Sequence, residues 1–209
     1  KTFSASLLQR RSMSKVTVHE LNNVVQDKLR HDNAEALFIA VSHNMNKIVE
    51  RIFLTGNVSP NVVNEIGATP IHVASILGHH SMVTLIHQFG GDVNAIWDGS
   101  APIHLAVSEN RAEVVCVLIA LGANLNLRDG LGFTPLHLVA IRGNRSLASY
   151  LLRAGADPSL TDTDGKTVAE RWNFSAQLQP VTERETQSSY DERQNSTEDN
   201  TAVSNPALL

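Results

Sequence analysis

Thr69-Pro70-Ile71-His72-Val73-Ala74 returns as Ala101-Pro102-Ile103-His104-Leu105-Ala106 and again as Thr134-Pro135-Leu136-His137-Leu138. The prolines stand 32 and 33 residues apart, and Gly56, Gly90, Gly122 and Gly155 keep the same beat at the other end of each unit. A threonine directly before a proline reads as an N-cap hydroxyl followed by proline at the first helical position, where the missing N–H is no loss. Eight residues beyond the proline position stand Asn44, Gly78, Asn110 and Gly143. All four tolerate the left-handed backbone that reverses a chain into a second helix. A recurring helix, reversal and helix therefore organises the chain.

The second helix of each unit carries the apolar faces. Ile48/Val49/Ile52/Phe53, Met82/Val83/Leu85/Ile86, Val114/Val115/Leu118/Ile119 and Leu147/Leu151/Leu152 recur at i, i+3, i+4 spacing, a stripe for burial on a neighbouring helix. One such unit cannot bury its stripe alone, so stacking has to supply the core. Asp98-Gly99, Asp129-Gly130 and Asp164-Gly165 read as turn dipeptides joining successive units.

Period and phrase together resemble the ankyrin repeat, a β-turn followed by two antiparallel helices. The resemblance implies an all-α solenoid of stacked helix-turn-helix units with β-turn fingers, an elongated stack with right-angled fingers. Its units span 36–67, 68–99, 100–132 and 133–165, and a partial unit spans 166–172. The repeat domain is 32–172, about two thirds of the chain. The end units are atypical. Ala36-Leu37-Phe38-Ile39-Ala40 lacks the Thr, Pro and His of the phrase, while Val168 takes the proline position and Glu170 the histidine position. Divergent terminal units are expected where one side meets solvent.

Two flanking segments differ in character. Leu21, Val24, Val25 and Leu29 form a helical stripe, so 16–31 is expected to be a helix capping the first repeat. Residues 1–15 hold Arg10, Arg11 and four serines without an acid through Ser14, the composition of a disordered or a targeting segment. Met13-Ser14-Lys15 also reads as an initiation context. Beyond Phe174 the chain turns to Gln, Ser, Thr, Asn and acids, so 173–209 is expected to be a disordered, acidic, polar tail.

Composition narrows the function classes. Hydrophobic residues make up 42% of 209 and aromatics only 5%, as expected where Leu, Val, Ile and Ala pack stacked helices. Cys116 is the single cysteine, which forbids an intramolecular disulfide and points to a reducing compartment, cytoplasmic or nuclear, with mitochondria as the alternative. No apolar run approaches the ~18 residues of a membrane span, so no membrane is expected. Residues 1–31 carry six Lys/Arg against two acids, 32–172 nine against thirteen and 173–209 two against six. The repeat body is thus no nucleic-acid footprint, which needs a strongly basic face.

Nine histidines raise the question of metal or catalysis. His72, His104 and His137 lie whole repeats apart and line up rather than converge; in the family this residue hydrogen-bonds across the turns. His79 and His80 are adjacent, and His80 with His87 stand at i, i+7, without the third ligand of a zinc site. No phosphate loop, nucleophile elbow or carboxylate pair appears. The expectation is no enzyme, no metal, no cofactor and no small-molecule substrate.

In ankyrin repeats the ligand-facing residues lie on the finger turns and the solvent side of the first helix, the concave surface. Carried over, these are Ile66, Ile76, Leu77, Ile96, Trp97, Ser108, Glu109, Arg128, Leu131, Phe133, Ile141 and Arg142. Large apolar side chains flanked by arginines have the composition of an interface centre, with Trp97 the expected anchor. The loop from Gly90 to Pro102 is a residue shorter than that from Gly122 to Pro135, and Ala101 replaces the capping Thr, so that finger has altered geometry. Asn94 and Asn126 resemble sites of intracellular asparaginyl hydroxylation, Asn126 with Leu118 eight residues upstream. The resemblance implies a monomeric, non-catalytic module that binds another protein. The alternative is a regulatory or adaptor subunit whose tail is phosphorylated, since Ser188, Ser189 and Ser196 each precede an acid by three.

Overall fold

The computed structural model describes residues 22–25, 28 and 33–172. The expectations for 1–15 and 173–209, and for most of the capping segment 16–31, lie outside them. Residues 22–25 are helical with Val25 buried, and Lys28 forms an ion pair with Glu35 at 2.5 Å.

Among the described residues the elements are helices: α1 (Asn33–Ser42), α2 (Asn46–Leu54), α3 (Pro70–Leu77), α4 (His80–Gln88), α5 (Pro102–Ser108), α6 (Ala112–Ala120), α7 (Pro135–Arg142), α8 (Arg145–Arg153) and the short α9 (Val168–Arg171). Odd-numbered helices stack successively along one layer, and α1, α3, α5 and α7 each pack on the even-numbered helix that follows; α2, α4 and α6 form the second layer in turn. The core lies between the layers, where Leu37, Ile52, Ile71, Met82, Ile86, Ile103, Leu118, Leu136 and Leu151 are fully buried. Burial of this kind, at about 25 cal/mol per Å², is what stacking supplies to units too short to be stable alone.

Helix starts and reversals follow the expected chemistry. Thr69 and Thr134 are extended N-caps with proline next. Asn44, Gly78, Asn110 and Gly143 all adopt positive φ, between 54° and 85°, and turn each odd helix into the even one. At α9 the histidine position is Glu170, whose Oε2 accepts from the Thr167 N–H at 2.6 Å and from its hydroxyl at 2.9 Å. This is a capping box closed by a carboxylate.

The fingers depart from the dipeptide reading. In three of them an Asx side chain starts the turn: Asn64 Oδ1 accepts from the Ile66 and Ala68 N–H groups, Asp129 Oδ1 from Leu131 and Phe133, and Asp162 Oδ1 from Asp164 and Lys166. Asp129-Gly130 therefore opens its turn, whereas Asp164-Gly165 closes one. Asp98-Gly99 is different again. Trp97 and Ser100 exchange both backbone hydrogen bonds, at 3.0 and 2.9 Å, around Asp98 (φ 48°) and Gly99 (φ 73°). Two positive φ values mark the two-residue type I′ hairpin. The missing residue thus converts an Asx finger into a tight hairpin with Trp97 at the Asx position. A Cβ on Gly99 would lie 2.7 Å from Gly130 Cα, so the two finger backbones touch.

Candidate functional site

Three sets of contacts hold the fingers against the odd helices and decide which side chains stay free. The first is the histidine row. Nδ1 of His72, His104 and His137 accepts the N–H of Thr69, Ala101 and Thr134 at 3.2–3.3 Å, which places the ring proton on Nε2. Each Nε2–H then donates forward to the finger that follows its helix pair, to the carbonyls of Ala95, Leu127 and Lys166 at 3.0–3.2 Å. The Thr69 and Thr134 hydroxyls lie 2.7 and 2.8 Å from Nδ1; Ala101 has none. Burial pushes the pKa of His72 and His104 below the ordinary 6.5. These rings are structural ties.

A second row is made by asparagines. Asn61, Asn94 and Asn126 each accept through Oδ1 the backbone N–H of Asp92, Asn124 and Asp157 in the following unit, at 2.8–2.9 Å. Asn94 and Asn126 are therefore inter-repeat rungs, the first half-buried and the second exposed.

The third row was not legible as a motif. A carbonyl at the end of each of α1, α3 and α5 receives a cationic or ring N–H from one unit ahead: Ser42 from His79 Nε2 at 3.2 Å, Ile76 from Arg111 Nε at 3.0 Å, and Ser108 from Arg142 Nη2. Orphan carbonyls at a helix C-terminus are the natural acceptors of such donors. Arg142, expected to face a partner, is thus engaged within the chain. Arg111 and His79, which the phrase does not flag, do equivalent work. His87 Nδ1 lies 3.2 Å from the Gly91 carbonyl, and among the described residues no three His, Cys, Asp or Glu side chains group as metal donors.

Trp97 requires a correction. It is only 8% exposed: its indole N–H donates to the Ile66 carbonyl at 2.7 Å, its ring meets His72 edge-on at 5.8 Å between centroids, and it covers Gly67. It is a clasp between the first two fingers and presents little surface to a partner. Ile66, Ile96, Leu131 and Ile141, by contrast, are 58, 56, 68 and 54% exposed. Glu109 and Arg128 are exposed, while Ile76, Leu77, Ser108 and Phe133 are half-buried. Val63, 56% exposed on the first finger, joins this face; only its register with Ile96 marks it, and the repeat phrase does not reach that far.

The far end is pinned electrostatically. Arg171 pairs with Asp162 at 2.5 Å and with Asp164, and its guanidinium lies 5.4 Å from the Phe133 ring centroid. The hydrogen bond from Arg171 is the largest influence holding the Asp162 carboxyl down to about 2.

Comparison with known proteins agrees with this geometry. The family described as ankyrin repeats in three copies matches residues 37–129, and that described as ankyrin repeats in many copies matches 120–171. The chain belongs to the ankyrin-repeat family. Similar ankyrin-repeat stretches occur in the B-cell lymphoma 3 protein homolog of Mus musculus, 31% identical over 137 residues, 63% of this chain and 31% of that protein. A putative ankyrin repeat protein of fowlpox virus is 31% identical over 142 residues, 66% of this chain and 41% of that one. Protein phosphatase 1 regulatory subunit 27 of Homo sapiens is 40% identical over 67 residues, 32% of this chain and 44% of that one. The chain spans less than half the length of each of these relatives. Ankyrin repeats generally mediate protein–protein interaction and are typically non-catalytic. Among the described residues no helix is long and apolar enough to cross a membrane.

Proposed function

We propose that this ankyrin stack is a non-catalytic module that binds a partner protein through its fingers and the outer ends of its odd-numbered helices. The observation that carries the reading is the exposure of Ile66, Ile96, Leu131 and Ile141, each more than half open to water. Scattered surface apolars need no explanation, but Ile66 and Leu131 hold the same place in their finger turns and Ile96 stands on the finger between them, and a group of exposed apolar side chains marks an interaction site. Ile76, Leu77 and Phe133 extend the face from its half-buried edge, and Arg128 and Glu109 lie on its rim. The regulatory-subunit reading is favoured by one relative, protein phosphatase 1 regulatory subunit 27; the serines that would carry it here stand outside the described residues.

The test is affinity purification with the whole chain and with an Ile96→Asp/Leu131→Asp variant, followed by mass spectrometry. Both side chains are exposed, so the variant should melt like the parent and lose specific partners. An unchanged partner set would place the contact elsewhere. Hydroxylation of Asn94 or Asn126 is a separate proposal, checked by mass spectrometry of the isolated protein for an added oxygen at either rung.

A further inference from the structure

Resting on the binding-face reading above, we infer that the first three fingers receive an extended protein segment in which apolar side chains are interleaved with arginine or lysine. The apolar contacts are Val63 and Ile66 on the first finger, Ile96 on the second and Leu131 on the third, all more than half exposed. Among them stand Glu65 on the first finger, Asp98 at the hairpin tip and Glu109 at the end of α5, all exposed. Among the described residues no ion pair joins any of these three carboxylates. Two cations stand against these three carboxylates, Arg142 on the Ser108 carbonyl and Arg128 on the third finger, both exposed, so the face keeps an acidic balance.

A partner that covers this face withdraws water from the carboxylates, and a desolvated charge is tolerated only when an opposite charge meets it. An acidic segment would be repelled, and a neutral one would leave the carboxylates unmatched. Spacing sets the pattern. Packed helices stand about 8–10 Å apart, and an extended strand advances about 3.3 Å per residue, so one apolar residue in three meets successive fingers and the intervening positions carry the positive charge. A second copy of this chain fits poorly, because a two-fold interface would set the same acidic rows against each other. The chain's own residues 1–15 contain Phe3, Leu7, Leu8, Arg10, Arg11 and Lys15 and are the competing occupant.

The probe is a set of synthetic 12-residue peptides with leucine at every third position and arginine, glutamine or glutamate between, titrated against the whole chain by fluorescence anisotropy. The arginine series should bind at least about tenfold more tightly than the glutamine series, the glutamate series should not bind, and the advantage should shrink as salt is raised. Glu65→Lys with Glu109→Lys should reverse the ranking while melting stays unchanged. Ile96→Ser with Leu131→Ser should weaken all binding about tenfold. Equal binding of the glutamine or glutamate series, still lost in the Ile96→Ser/Leu131→Ser variant, would overturn the basic partner and leave the binding face standing. Arginine-series binding indifferent to Ile96 and Leu131 would overturn both, and failure of every series to bind would overturn the inference. A peptide of residues 1–15 that displaces the arginine series with equal affinity would assign the face to the chain's own segment; self-association lost on Glu65→Lys would assign it to a second copy.

Discussion

Trp97 shows how one missing residue alters a side chain's role. In the Asx fingers the turn is tied by a side-chain oxygen; at Trp97 that oxygen is replaced by a ring that reaches the preceding finger and bonds the Ile66 carbonyl. Trp97→Ala should therefore cost about 3 kcal/mol of stability, and Trp97→Phe, which keeps an aromatic ring but loses the N–H, about 1 kcal/mol. Denaturant melts of both variants check the order, and equal small losses would return Trp97 to the surface. Ala101 offers the opposite test. Ala101→Thr adds the hydroxyl that Thr69 and Thr134 place beside their histidines and should stabilise by about 1 kcal/mol, read in the same melts. The sequence showed that this finger was short and that Ala101 had replaced its capping Thr. It did not show that the shortening turns Trp97 inward, because a Trp reads alike as anchor or as clasp until the turn type is known.

At the scale of the element, the histidine row makes stability depend on pH. His72 and His104 have pKa values lowered by burial from 6.5, so the unfolded chain takes up protons at a pH where the folded one does not. Stability from this source is complete above about 6.5 and declines as pH falls below it. Melting temperature followed from pH 8 to pH 5 should drop, and His104→Gln should reduce the slope; a flat profile would contradict the neutral, Nε2-protonated rings. Asp162 acts lower on the scale: with its carboxyl held at about 2 against 3.8, the contribution is present above about 3.8 and lost as pH approaches 2. Helix starts and reversals were legible because they use local signals, a Thr before a Pro and a Gly or Asn eight positions on. The carbonyl row of His79, Arg111 and Arg142 was not, since donor and acceptor lie more than 30 residues apart; His79 and Arg111 share a position just after the reversal but differ in chemistry, and Arg142 stands two places earlier in its repeat.

For the whole molecule, contacts run between neighbouring units, so stability is a sum of unit and interface contributions and the ends open first. Leu118, fully buried on α6 in the middle of the stack, should cost about 2–5 kcal/mol when changed to Ala. Arg171→Ala, at the far end, removes the partner of Asp162 and should release α9 without unfolding the centre. Hydrogen exchange separates the two: protection should fall throughout for Leu118→Ala and only after the third finger for Arg171→Ala. Uniform loss in both would mean that the stack opens as one unit.

Glu170 then acquires a meaning for array length. A histidine at this position has two duties, one to its own cap and one to the carbonyl of the finger ahead, and the chain uses it at His72, His104 and His137, where a finger follows. A carboxylate discharges only the first duty. Its Oε2 is saturated by Thr167, and it has no proton to offer forward. A further unit grafted behind α9 would set an acceptor against an acceptor at the junction, so lengthening this array requires Glu170→His together with the graft. That one side chain caps its own helix and leaves the forward tie unmade.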